Sequence, residues 1–234
     1  MTGTLYLIPN LLGESDAERV LPPFNADVIK RIPYFIVENI RTTRRFLKKI
    51  DKSIDIDRLT FFELNQHTDP QIIGSYIEPL LHGEDMGIVS EAGCPAVADP
   101  GALVVELAQQ KNIQVVPLVG PSSILLALMA SGFNGQSFSF EGYLPIDNEK
   151  RIKRLKVLEN RIYTENQTQI FIETPYRNNK IVQDFIAHCR PSTKLCIASE
   201  ITTDNEFIKT KPIGRWKNTC PDLSKKPTIF LLYK

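Results

Sequence analysis

The stretch from Met86 to Gly132 constrains this chain more than any other. It reads MGIVSEAGCPAVADPGALVVELAQQKNIQVVPLVGPSSILLALMASG. A short apolar run, Gly87 to Ser90, enters a loop dense in small residues and proline. Asp99-Pro100 opens a helix through Gln110, and a second apolar run follows, Val115 to Val119. Gly120-Pro121-Ser122-Ser123 leads into another helix, with Pro121 at its first position and Gly132 at its end. Strand, tight loop and helix, given twice, call for an α/β fold. Small residues let a ligand approach the backbone closely. In open α/β sheets, ligands bind outside the carboxyl ends of the strands. Ser122 and Ser123 put hydroxyls and amides at a helix N-terminus; they suit an anion there, and serve equally as a capping turn.

The chain has 234 residues, 42% of them hydrophobic. That is enough for one large domain or two small ones. The formal net charge is +1, so any nucleic-acid footprint must come from local clusters. Cys94, Cys189, Cys196 and Cys220 form no CxxC pair and no Cys/His metal spacing. His67, His82 and His188 are scattered, so no metal site is expected. No apolar run is long enough to span a membrane. The opening MTGTLYLIPN lacks a basic region before its apolar run, unlike a signal peptide. A cytoplasmic setting is the expectation.

Leu5 to Ile8 reads as a buried first strand, followed by the loop Pro9 to Gly13. That loop carries no GxGxxG, which argues against a dinucleotide and a nicotinamide dehydrogenase. Asn25 is placed to cap a helix through Ile32, and Tyr34 to Val37 is the second strand, ending at Glu38-Asn39. From Arg41 to Lys52, Arg41, Arg44, Arg45, Lys48 and Lys52 recur at spacings of three and four, opposite Leu47, Ile50 and Ile54. This is an amphipathic helix with one basic face. The face is either solvated or turned to an anionic partner such as a phosphate backbone. Leu59 to Leu64 is a third strand, and His67 sits near its end, either in the same cleft or as an ordinary hydrogen-bonded residue. Asp69-Pro70 starts a helix through Leu80 that Gly83 ends.

Beyond Gly120 the pattern shifts. Strands are expected at Ser137–Phe140, Gln169–Ile172, Lys194–Ala198, Glu206–Lys209 and Thr228–Tyr233. Helices are expected near Lys150–Asn160 and Tyr176–Cys189. The late strands lie close together, which favours antiparallel pairing. The expected domains are 1–118 and 119–234, a mostly parallel sheet in the first and a mixed sheet in the second. With no low-complexity linker, they are expected to pack closely about a cleft. Lys150, Arg151, Lys153 and Arg154 form a second basic cluster, with Ile152, Leu155 and Leu158 inward. Two basic segments on a near-neutral chain favour nucleic acid over a neutral substrate.

SEAGCPAVADPG, then VPLVGPSSILLALMASGF, then FEGYLP resembles the tetrapyrrole methylase superfamily of S-adenosylmethionine-dependent methyltransferases. VENIRTTRRFL, IFIETPYR and ASEIT extend the resemblance in family order. Within the superfamily the chain is most similar to the ribosomal RNA small-subunit methyltransferases that act on a cytidine ribose 2′-hydroxyl. The resemblance implies two α/β domains, S-adenosylmethionine between them, and a homodimer. It implies cofactor contacts from Pro9 and Gly13, from Cys94, Pro95, Val97 and Ala98, and from Gly120, Pro121, Ser122 and Ser123. Thr174, Pro175, Pro227 and Thr228 complete the implied pocket.

Methyl transfer is an in-line displacement, so the protein must align nucleophile, carbon and sulfur and keep water out. A ribose hydroxyl is a weak nucleophile and gains from a base. Glu38 is the candidate base, Arg41 the substrate orienter and His67 the next candidate; Glu38 can alternatively pair with Arg41 or Arg44. Arg44, Arg45 and Lys48 are candidates to hold the phosphates of ribosomal RNA. The chain departs from the branch after the first strand, where PNLLGES stands for the usual PTPIGNL, and at three further positions: Asn39 replaces an acidic residue, Glu91 an aspartate and Cys94 a threonine. A methyltransferase of a small molecule such as a tetrapyrrole is one alternative. A non-catalytic cofactor- or RNA-binding relative is another.

Overall fold

The structure is a computed structural model describing residues 2–234. It divides into two compact units between Ser122 and Ser123. The first contains β1 (Thr4–Ile8), α1 (Ala17–Val20), α2 (Pro23–Arg31), β2 (Tyr34–Val37), α3 (Ile40–Ile50), β3 (Thr60–Glu63), α4 (Pro70–Tyr76), α5 (Glu78–Leu81), β4 (Met86–Val89), α6 (Gly101–Gln110) and β5 (Gln114–Pro117). The second contains α7 (Ser123–Ser131), β6 (Phe138–Tyr143), α8 (Asn148–Thr164), β7 (Thr168–Ile172), α9 (Asn178–His188), β8 (Lys194–Ser199), β9 (Phe207–Pro212) and β10 (Thr228–Tyr233).

In the first unit the strand order is β3-β2-β4-β1-β5, and every pairing is parallel. All five strands therefore release their loops at one edge. Central strands of such a sheet are buried on both faces, which is why β2 and β4 are unbroken apolar runs rather than alternating ones. Ile8 and Phe35 pack with Val28 and Ile29 of α2 and Leu47 of α3. Leu5 and Ile88 pack with Ile73 of α4, Leu80 of α5 and Val104 of α6. The chain leaving β1 thus covers one face and the chain leaving β4 covers the other. Adjacent strands whose connections part to opposite faces create the crevice where such sheets bind ligands.

The second sheet is mixed, in the order β6-β7-β10-β8-β9. β6 and β7 are parallel, and the other pairings are antiparallel. Its core gathers Leu155, Leu158, Ile162, Phe171, Phe185 and Phe230. Trp216 is buried there, its indole N–H donating to the Leu195 carbonyl at 3.1 Å.

Four expectations require correction. Asn25 does not cap α2, which starts at Pro23 with Pro22 before it; the buried Asn25 amide instead donates to the Val119 carbonyl at 2.9 Å. The helix from Pro70 is interrupted at Ile77, because Pro79 brings no backbone N–H to a continuous ladder. Pro121 lies outside α7, its carbonyl accepting from the Cys94 thiol at 3.5 Å. Arg151 belongs to no solvated basic face. It is 1% exposed and paired with Asp184 at 2.7 Å, while Ile152 is only half-buried.

Candidate active site

Three loops converge at the carboxyl edge of the first sheet. Asn10, just after β1, exchanges backbone hydrogen bonds with Gly93, at 2.9 and 3.2 Å. Its side-chain amide donates to the carbonyls of Ser90 and Glu91, and its side-chain oxygen accepts from the Leu11 N–H. One buried asparagine thereby joins the β1 loop to the β4 loop. Gly120 joins the third: a Cβ there would lie 2.2 Å from Cγ of Pro9, so only glycine permits the approach. These contacts unite the loops bearing Pro9 and Gly13, Cys94 to Ala98, and Gly120 to Ser122.

The β4 loop has a tightly folded backbone. Ala96 and Ala98 adopt left-handed conformations, with φ of 65° and 58°. Side chains seldom adopt this region unless their surroundings over-determine it. Here Asp99 supplies the restraint, its carboxylate accepting from the N–H groups of Ala96 at 2.9 Å and Gly101 at 2.6 Å. Val97 is held exposed between the two alanines, and Val119 is exposed on the neighbouring loop. The Ser90 hydroxyl closes the loop onto the carbonyls of Ala92 and Gly93.

Glu38 follows β2 directly, beside this loop. Its Oε1 accepts the Glu91 N–H at 3.2 Å. Burial pushes its carboxyl above the ordinary value; the Glu91 N–H works against that, and the charges of Asp99 and Glu91 add to it. Asp99 is likewise raised by burial, against the two N–H groups it accepts. Glu91 is held by the Thr42 hydroxyl, which donates to its Oε1 at 2.6 Å. Asn39 caps α3, its side-chain oxygen accepting from the N–H groups of Arg41 and Thr42. The exit of β2, the start of α3 and the β4 loop thus form one hydrogen-bonded assembly.

Among the described residues Glu38 has no ion pair with Arg41 or Arg44. Arg41 and Arg45 are exposed with no acidic partner among those residues. The Arg44 guanidinium lies over the Phe61 ring, 5.4 Å from its centroid. Lys48 donates to the Lys52 carbonyl at 3.0 Å. His67 is exposed in the turn after edge strand β3, its backbone N–H bonded to the Asn65 side chain. No contact between His67 and Glu38 appears among the described residues.

In the second unit Ser123 begins α7. Thr174-Pro175 follows β7, and Pro227-Thr228 precedes or begins β10, its antiparallel neighbour. The Lys225 N–H donates to the Pro175 carbonyl at 3.1 Å, so these two turns meet. Glu173 pairs with Arg177 at 2.9 Å and accepts the Thr174 N–H.

Sequence reasoning does not single out Asn10 or Thr42, because their partners are 80 or 81 and 49 residues away. The one local signal is polarity at a strand end.

The family model described as tetrapyrrole (corrin/porphyrin) methylases matches residues 21–216. The ribosomal RNA small subunit methyltransferase I of Vibrio cholerae is 33% identical over 90% of this chain and 69% of its own length. That of Buchnera aphidicola subsp. Schizaphis graminum is 32% identical over 99% of this chain and 78% of its own. Among solved structures, the methyltransferase CobJ superposes with a TM-score of 0.65 at 16% identity, over 100% of this chain and 94% of that one. Diphthine synthase superposes at 0.66 and 12% identity, over 98% and 89%. The family match spans most of the chain, these structures share its fold, and the chain belongs to the tetrapyrrole methylase family of methyltransferases.

Proposed function

We propose that this methyltransferase uses S-adenosylmethionine to methylate a ribose 2′-hydroxyl in small-subunit ribosomal RNA. The observation that carries the reading is Glu38. Its carboxylate is half-buried at the exit of β2, tethered by Oε1 and followed at once by a helix whose Arg41 and Arg45 are exposed with no acidic partner among the described residues. The names of the curated relatives support the substrate class.

The residues present fit the cofactor. The two central loops are rich in Gly, Ala, Cys, Pro and Ser, and they expose apolar Val97 and Val119. No cationic side chain occurs from Ser90 to Asp99 or from Val119 to Ser123, which suits a positively charged sulfonium. Pro9, Gly13, Cys94 to Ala98 and Gly120 to Ser123 would hold it, and the family resemblance adds Thr174, Pro175, Pro227 and Thr228. When bound, S-adenosylmethionine supplies a methyl carbon activated by the adjoining sulfur.

The remaining work falls to the chain. Oε1 of Glu38 is occupied by the Glu91 N–H, so Oε2 accepts the proton of the ribose hydroxyl. Arg41 orients the adjoining phosphate, while Arg44, Arg45 and Lys48 hold the backbone. His67 is the alternative proton acceptor. The reading includes the homodimer and cytoplasmic setting implied by the family.

The test is transfer of label from methyl-labelled S-adenosylmethionine to small subunits from a strain lacking the gene. Labelled ribose in digested RNA supports the reading, and unlabelled RNA overturns it. Label on a tetrapyrrole offered in parallel would establish a small-molecule enzyme instead, as would be expected from the family's description. Sedimentation of the purified protein tests the dimer.

A further inference from the structure

The second unit holds an apolar surface that the chemistry above does not use. Tyr143 is 59% exposed, Ile146 82% and Tyr176 82%. All three follow or end the adjacent parallel strands β6 and β7, so they leave the same edge of the sheet.

Each is held outward by a separate device. Gly142 has φ of 62° and creates a bulge: Phe140 pairs with Ile170, but Tyr143 pairs with Ile172. One extra residue on β6 brings Tyr143 into register, and bulges commonly re-aim a side chain in this way. Ile146 is fixed by Arg151, whose buried guanidinium donates to the carbonyls of Pro145 and Ile146 at 3.2 and 2.7 Å. Tyr176 lies within a turn closed by the Arg177 N–H on the Thr174 carbonyl at 2.8 Å and by the Glu173–Arg177 ion pair. The buried Arg151 thus fixes the backbone from which the exposed Ile146 projects. On the helices that follow these strands, Lys150 and Lys153 of α8 and Lys180 of α9 are exposed, with no ion pair among the described residues. Exposed aromatic rings leaving one sheet edge, with exposed lysines on the helices that follow, match the chemistry of unpaired bases on a phosphate backbone.

We propose that Tyr143, Ile146 and Tyr176 form a preformed platform on which unpaired bases of the RNA substrate stack. The inference rests on the RNA-methyltransferase reading and adds the contact that selects single-stranded RNA. Tyr176 directly follows the Thr174-Pro175 turn assigned above to the cofactor.

The experiment compares wild type, Tyr143→Ala/Tyr176→Ala and Tyr143→Phe/Tyr176→Phe. The readouts are KM and kcat on unmethylated small subunits, the Kd for S-adenosylmethionine, and anisotropy of a fluorescent single-stranded oligoribonucleotide without cofactor. The alanine pair should raise KM and the oligonucleotide Kd about tenfold or more, because stacking on an aromatic ring contributes strongly to each base. The phenylalanine pair should keep wild-type values, since the ring face and not the hydroxyl makes the contact. Unchanged oligonucleotide binding in the alanine pair overturns the platform, as does equal loss in the phenylalanine pair. A changed sedimentation coefficient with unchanged RNA binding also overturns it and makes the patch a subunit contact. Tyrosine-dependent RNA binding by a wild-type enzyme that methylates no RNA overturns the proposed activity and leaves the platform standing.

Discussion

The carboxylate of Glu38 accepts the backbone N–H of Glu91 at 3.2 Å, tying the exit of β2 to the loop that follows β4. One carboxylate oxygen thereby acquires a fixed partner. Glu38→Gln should lower kcat by about 10²–10⁴, the usual contribution of a positioned base, with cofactor affinity kept. In wild type, kcat should rise with pH as Glu38 loses its proton, at a midpoint above the ordinary carboxylate value because burial raises it. The stability sign is opposite. The folded state holds this proton more tightly than the unfolded one, so folding stability falls as pH rises between the unfolded and folded values. Glu38→Gln should therefore melt higher than wild type at neutral pH, which calorimetric melting across pH checks.

The Asn39 side-chain oxygen caps α3 through two backbone N–H groups. Asn39→Ala should lose about 1 kcal/mol, the usual worth of such a cap. Asn39→Asp should keep the cap and place a favourable charge at a helix N-terminus. Urea denaturation of both variants measures the difference. Comparable loss in both would mean that the cap is not what matters there.

Gly120→Ala would set a Cβ 2.2 Å from Cγ and 2.4 Å from Cβ of Pro9. The loops must separate, a strain of about 1–3 kcal/mol for an extra buried carbon. The Kd for S-adenosylmethionine should rise about fivefold to a hundredfold, the equivalent of that strain. Gly135→Ala is the control, since nothing lies within 4 Å of the added carbon. Titration calorimetry on the pair separates a loop effect from a general loss of glycine freedom.

Arg151→Met should destabilise the second unit by about 3–5 kcal/mol, as removal of one partner leaves the other charge buried and unpaired. Asp184 and the carbonyls of Pro145 and Ile146 lose their donor together. Arg151→Met/Asp184→Leu should recover much of the loss, because no orphaned charge remains. Denaturant midpoints for both variants give the comparison.

The sequence shows most clearly what depends on neighbours along the chain. The bounds of β2 and β10 agree with the expected strands, because apolar blocks end against Glu38 on one side and begin after Pro227 on the other. Small-residue loops at 94–98 and 120–123 are visible for the same reason. Arg151 is not visible, since a buried arginine and a solvated one have the same local sequence and Asp184 lies 33 residues on. Nor is the union of the Glu38 and Glu91 segments, 53 residues apart. The position of Tyr143 escapes notice too, because alternation predicts a side chain's direction only where no bulge interrupts it.

β10 is the last strand of the second sheet in sequence, yet it lies between β7 and β8. During synthesis, the first unit can complete its sheet once β5 has emerged. The second cannot, because β7 and β8 have no strand between them until Thr228–Tyr233 arrives. Domains generally fold as units while the chain is made. The second unit therefore cannot complete its five-stranded sheet until Thr228–Tyr233, the shared neighbour of β7 and β8, leaves the ribosome.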